Sequence, residues 1–552
     1  MALSDTPIRT RRGFDPAFAA ALAALVCAAP LIAVAALAFS SADTDYLQHL
    51  IGTRLPVFLA STFTVGLIAA LAAAGIGVTA AWLTARCDFP GARFFAWALV
   101  LPLAVPAYVA AYAWLDLTQQ AGPIASWLRD ISPALGRLVP AVRGDVGTGL
   151  ISALVLYPYV FLLARQAFAG QSAEAYEAAR TLGDGPLAAF RRAALPMARP
   201  AIAAGLALVL METLADYGAA AHLGAQTLSV GIVRAWSGAG SLPDAARLAL
   251  VLVTLSLLIF SLERGQRRRA RASNASGRTR PPARFRLTGL QAAMATLFCA
   301  LPLLFGLLIP MARLGYRAFN ESAARGVLEA VWNSVSLAAG AAAIAALLGL
   351  GAAYAIRSGK PVGVISARLA GLGYAAPGAV AAVGVLAFMG AAQGLIDPTW
   401  RSLTGEVFPL LLTSGIGALM LAYLSRFAAA AIGPAESALM RITPALDGAS
   451  RTLGAGPLET VRRVHWPLAA SGVAAAALLV FVEVLKELPA TMILRPFNFD
   501  TLAVVAHNYA SDERLGQAAL PSLAIILVAL PAMALLARGR MSRDDALPGE
   551  TG

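Results

Sequence analysis

The chain has 552 residues, of which 59% are hydrophobic and 13% charged, and its formal net charge is +13. Soluble domains are about 45–50% apolar and about 25% charged, so this composition excludes an ordinary soluble enzyme and points to lipid as the solvent. The basic excess does not indicate nucleic acid, because the arginines cluster between apolar runs, as the positive-inside rule expects.

Arg9, Arg11 and Arg12 precede an apolar run from about Phe18 to Phe39. Ala36-Leu37-Ala38 could imitate a signal-peptidase site. The run is longer than the roughly 7–15 residues of a secretory core, so it is read as a retained first helix. Further runs of spanning length begin near Val57, Phe94, Val146, Ala201, Ala245, Thr288, Ala330, Val364, Phe408, Ala470 and Ala518. This predicts an all-α membrane protein of about twelve spans, because only a helix satisfies its own backbone in lipid.

A cytoplasmic N-terminus places most of the 43 Lys and Arg residues on the cytoplasmic side. Both termini then lie there, with Arg538, Arg540 and Arg543 after the last span. Residues 264–286 carry nine arginines together with Pro281 and Pro282, and read as a solvated cytoplasmic linker in reach of anionic membrane lipid. The predicted division is a first half over 1–263 with its core from about 54, the linker, and a second half over 287–552 with its core at about 330–537. Cys27, Cys87 and Cys299 form no C-x-x-C, so neither a disulfide framework nor a zinc site is indicated.

The halves are a direct repeat. Residues 180–187 read RTLGDGPL and residues 451–458 read RTLGAGPL, an offset of 271. The same offset carries Arg191-Arg192 onto Arg462-Arg463, Pro196 onto Pro467 and Glu212 onto Glu483. Thr227-Leu228 matches Thr501-Leu502 with a three-residue slip. An even number of spans per unit gives both copies one orientation, with a pseudo-twofold axis along the membrane normal and a path between the halves.

After the fourth span come Glu177, Ala178, Ala179 and Gly183, then nine residues, then Ala193, Leu195 and Pro196. This resembles the E-A-A-x(3)-G-x(9)-I-x-L-P loop of ABC importer permeases, with Ala193 where the family often has Ile. In the second copy Gly448, Ala449 and Ser450 replace Glu-Ala-Ala, Gly454, Val464 and Pro467 keep the frame, and Trp466 replaces Leu. Glycine suits a turn that needs positive φ. The resemblance implies the type I ABC importer permease fold and a loop that docks on a cytoplasmic ATPase, with Glu177 as the contact acid. It also implies two ATPase copies, an extracytoplasmic binding protein, a bacterial inner membrane and no cofactor. The chain has no P-loop: its two lysines, Lys360 and Lys486, follow Gly359 before Pro361 and Leu485 respectively. Hydrolysis would therefore come from a partner, and the chain itself is not an enzyme.

Four intramembrane acids stand out as functional candidates. Glu212 with Asp216, and Glu483 with Glu487, are spaced i, i+4 and related by the same offset, which predicts one helix face for each pair. Carboxylates suit hard cations, whereas the alternative is gate packing by interhelical hydrogen bonds. Lys486 could neutralise one acid. The stretches Met211–Gly218 and Thr227–Trp236, and the two-in-one architecture, are similar to ferric-iron permeases. Related permeases for thiamine, phosphonate or polyamine share the loop, and a twelve-helix secondary transporter would explain the repeat but not two matched loops. His49, His222, His465 and His507 are scattered and build no catalytic cluster.

Overall fold

The computed structural model describes residues 16–40, 50–137, 139–171, 173–273, 284–321, 324–406 and 415–544. Among them eleven helices are long and apolar enough to cross a membrane, and one pair bent by 90° supplies a twelfth.

The first half runs α1 (Pro16–Ala38), α2 (Leu55–Arg86) and β1 (Cys87–Asp88). The bent span follows: α3 (Ala92–Ala98), a 3-10 turn at Leu101–Ala104, α4 (Ala107–Thr118), and the short helices α5 (Pro123–Ile131) and α6 (Pro133–Arg137). Next come α7 (Gly144–Gly170), α8 (Ala173–Thr181), α9 (Pro186–Ala189) and α10 (Leu195–Ala215). A π turn at Phe190–Ala194 fuses α9 and α10 into one 30-residue span. The half ends with α11 (Gly218–Leu223), α12 (Leu228–Ser237) and α13 (Leu242–Ser273), so the last helix continues ten residues into the predicted linker.

The second half repeats the order. After β2 (Phe285–Arg286) come α14 (Gly289–Leu303), α15 (Ile309–Asn320), α16 (Val327–Ser358), α17 (Pro361–Ala370) and α18 (Gly378–Thr404). Then follow α19 (Ile416–Leu439), α20 (Pro444–Thr452), α21 (Pro457–Thr460) and α22 (Trp466–Leu485). The chain closes with α23 (Pro489–Leu494), α24 (Leu502–Ser511) and α25 (Leu515–Asp544). The predicted start of the tenth span at Phe408 lies outside the described residues, and its helix begins at Ile416.

The third span, and the apolar run predicted to form the ninth from about Val364, are both interrupted for one shared reason, and the ninth span is the helix Gly378–Thr404 alone. Pro106 and Pro377 are related by the repeat. Proline lacks an amide donor and disfavours helix at the preceding residue. Val105 and Ala376 accordingly adopt extended backbone, each with ψ 116°, and a new helix starts directly after each proline.

Within each half the packing is the same: α2 against α7 and α10, and α16 against α19 and α22. The first helices are exchanged. α1 lies on α16, α17, α18 and α19 of the second half, while α14 and α15 lie on α2, α3 and α4 of the first. Small residues permit the close approach, as at Gly384, where a Cβ would collide with the carbonyl of Pro30. On the other side Asp116 of α4 binds Arg313 at 2.6 Å and Arg317 at 2.5 Å, both from α15. This buried ion pair fastens α15 to the first half. β1 and β2 pair in parallel, Cys87 with Phe285, and tie the end of α2 to the start of the second half.

Candidate functional site

The four acids meet in one narrow cavity of about 70 Å³ between the halves, lined by Glu212, Asp216, Glu483 and Glu487 together with Arg426 and Lys486. That volume holds a few waters or a bare ion. The i, i+4 pairs do not share a helix face as predicted. α10 ends at Ala215 and α22 at Leu485, so Asp216 and Glu487 lie just beyond their helices. Each instead accepts an amide from the next short helix: Ala219 donates to Asp216 Oδ1 at 3.2 Å, and Ala490 donates to Glu487 Oε1 at 3.0 Å. These amides are themselves repeat equivalents. The sterics of the chain's exit thus turn the second acid of each pair into a cap.

Lys486 does neutralise an acid, with Nζ 2.9 Å from Glu483 Oε1, and Tyr159 donates to the same oxygen at 3.4 Å. The residue that the sequence reading missed is Arg426, in the middle of α19. Its Nη1 donates to Glu487 Oε2 at 2.6 Å and its Nη2 to Glu212 Oε2 at 3.3 Å, so one guanidinium joins the two halves. Val155 occupies the equivalent position of the first half. An arginine inside an apolar run was the available signal. Among the described residues no group of three or more His, Cys, Asp or Glu side chains is arranged to hold a metal ion. Two of the scattered histidines do converge near this region: Tyr112 Oη lies 3.1 Å from His507 Nδ1, and its ring packs edge-on to His222 at 4.5 Å.

At the opposite ends of α10 and α22 are the two loops, Pro186 and Glu212 being about 40 Å apart along a continuous helix. Gly183 and Gly454 both adopt left-handed backbone, φ 92° and 82°. The hydrogen bonds around them match: Gly183 to Arg180 and Asp184 to Ala179 in one, Gly454 to Arg451 and Ala455 to Ser450 in the other. Each turn presents a leucine, Leu182 and Leu453, both 87% exposed. Glu177, Ala178 and Ala449 are exposed as well, whereas Leu195 and Pro196 are half-buried and Pro467 is exposed at the helix start.

Similarity to known proteins is consistent with this arrangement. The family described as "Binding-protein-dependent transport system inner membrane component" matches residues 73–272, which include the first loop. An Fe(3+)-transport system permease protein of Haemophilus influenzae is 24% identical over 494 residues, covering 88% of this chain and 90% of the relative. A sulfate transport system permease protein of Escherichia coli is 27% identical, covering 48% of this chain and 92% of the relative. A molybdenum transport system permease protein of Escherichia coli is 33% identical, covering 28% of this chain and 64% of the relative. These matches make the chain similar to binding-protein-dependent transport permeases.

The two loops differ in how they are held. Asp447 of α20 lies 2.6 Å from His465 Nε2 and accepts from Arg357 at 2.7 Å, and His465 Nδ1 lies 3.0 Å from Tyr354 Oη. Burial would raise the Asp447 carboxyl, but the hydrogen bonds from His465 and Arg357 outweigh it and hold it below the ordinary carboxylate range. The group is therefore ionised at neutral pH.

Proposed function

We propose that this chain is the permease of a binding-protein-dependent ABC importer and carries ferric iron across a bacterial inner membrane, between its two halves. An extracytoplasmic binding protein delivers the substrate, and two copies of a separate ATPase seat on the loops around Gly183 and Gly454. Both termini and the linker then face the cytoplasm. The observation that carries the transport reading is the twin arrangement: two exposed loops of identical turn geometry at one end and a carboxylate cluster drawn from both halves toward the other. An apolar side chain held fully exposed at a turn tip, in both copies, suits a partner's groove. For iron, the support is the similarity to an Fe(3+) permease over 88% of the chain and the excess of carboxylates over cationic groups in the cavity.

A second reading has its own support. Relatives carry the names of sulfate and molybdenum permeases, and Arg426 and Lys486 face the same cavity. Uptake of radiolabelled ferric iron, sulfate and molybdate is to be compared in cells lacking the chain and in complemented cells. Restoration of iron uptake alone is expected. Restoration of an oxyanion and not of iron reverses the substrate assignment while leaving the permease reading intact.

A further inference from the structure

Arg86 ends α2 and Arg357 lies at the end of α16, and the 271-residue offset relates them. Each turns toward the loop of its own half, and each meets the same position there: Tyr176 in α8 and Asp447 in α20, again 271 apart. The chemistry at that shared contact is different.

In the first half the Arg86 guanidinium carbon stands 5.5 Å from the Trp82 ring, 5.6 Å from Tyr176 and 5.9 Å from Phe285. Trp82 also packs on Phe190 at 4.8 Å, and Tyr176 on Phe285 at 5.2 Å. The cation is enclosed by rings from α2, the loop and the strand after the linker. In the second half Ala353 and Val461 stand where Trp82 and Phe190 would be, and no such enclosure is built. Arg357 Nη2 instead pairs with Asp447, and its Nη1 donates to the carbonyls of Leu439 at 2.7 Å and Ile442 at 2.8 Å. Asp447 in turn meets His465 at the foot of α22. One arginine thereby joins α16, the end of α19 and the loop.

We propose that Arg86 and Arg357 are paralogous positioning residues that key each loop to its own bundle, the first through cation–π contact and the second through a charge-assisted hydrogen-bond network. This rests on the reading of both loops as docking elements for the ATPase. Face contact between a guanidinium and rings is weakly directional, whereas paired charged hydrogen bonds fix angle as well as distance. The second loop is accordingly held in one orientation, and the first retains some freedom to rotate. The missing Glu-Ala-Ala of the second loop fits this division: the first loop carries the exposed contact acid Glu177, and the second carries a stiffer mount.

The test uses the full permease in nanodiscs with its own ATPase and binding protein, and reads two quantities that need no knowledge of the substrate. These are retention of the ATPase and stimulation of ATP hydrolysis by the binding protein. Tyr176→Phe keeps the ring and should behave as wild type, while Tyr176→Leu should lose roughly tenfold in stimulation with the ATPase still bound. Asp447→Asn should lose roughly tenfold, and Asp447→Glu should recover most of it, since hydrogen bonds to charged groups carry energies of that order. Tyr176→Asp offers Arg86 an ion pair and should keep the stimulation that Tyr176→Leu loses. A purely structural role would not distinguish these replacements. Leu182→Asp and Leu453→Asp serve as the separate check on docking, and should release the ATPase. If they do not, the loops are not docking elements and the functional reading fails. If they release it but Tyr176→Leu and Asp447→Asn retain full stimulation, the positioning role is overturned on its own.

Discussion

Arg426 of α19 reaches Glu212 across the boundary between the halves, 3.3 Å away, while its other nitrogen is committed to Glu487 of its own half at 2.6 Å. The arginine and Glu487 are 8% and 4% exposed. Removing one member of a buried pair leaves an uncompensated charge, at a cost of about 3–5 kcal/mol. Arg426→Met should therefore lower thermal stability in detergent sharply. Adding Glu212→Gln and Glu487→Gln should return most of it, because the orphaned charges are then gone. An unchanged unfolding temperature for the single variant would count against the clamp.

The acids can also be tested with Arg426 still paired to Glu487, at the cost of its charge link to Glu212. Glu212→Gln with Glu483→Gln keeps shape and some hydrogen bonding and leaves the Arg426–Glu487 pair in place. The variant should assemble with its ATPase. If the carboxylates guide a passing cation, iron uptake should fall on the order of tenfold, the scale of one or two charge interactions. Full uptake by an assembled variant assigns these groups to gate packing.

Much of this architecture could be read from the residues, and the parts that could not share a physical cause. The spans were legible because lipid demands long apolar runs, and the repeat because the RTLG-x-GPL string survives in both copies. The turn glycines were legible because positive φ selects for glycine. Lys486 found its predicted acid because the two are one helical turn apart. The break at Pro106 and Pro377 was present in the sequence, but apolar length overrode it in a reading based on runs. Arg426 with Glu212, Arg357 with Asp447 and the exchange of α1 and α14 between halves involve residues far apart in the chain, and only tertiary packing brings them together.

Gly183 and Gly454 offer a test of the loops themselves. No atom lies within 4 Å of where a Cβ would stand at either position, so a substitution meets no clash and costs only backbone strain. For a non-glycine residue in left-handed backbone that strain is about 1–2 kcal/mol. Gly183→Val and Gly454→Val should reach the membrane in normal amount and lose binding-protein-stimulated ATP hydrolysis. Gly183→Val should be the more severe, since its loop carries Glu177 where the other has Gly448. Wild-type stimulation in both variants would remove the coupling role from the turns.

The orientation of the whole chain is open to a direct measurement. Nine arginines lie within 264–286 and three follow the last apolar run at Arg538, Arg540 and Arg543. Retention of such residues on the cytoplasmic side sets the orientation of neighbouring spans. α13 runs to Ser273, so a reporter fused after Arg271 would report on the end of a defined helix. It should read cytoplasmic, as should a fusion after Arg540. α18 ends at Thr404, an odd number of crossings later, and a fusion there should read extracytoplasmic. The bent span Ala92–Ala104 with Ala107–Ile131 must cross the membrane for the first half to have six crossings. Were it a re-entrant loop, the first half would have five crossings, and fusions after Arg86 and Arg271 would lie on opposite sides. A cytoplasmic signal at both Arg86 and Arg271 is the expected result, and opposite signals would overturn the twelve-span topology together with the shared orientation of the two loops.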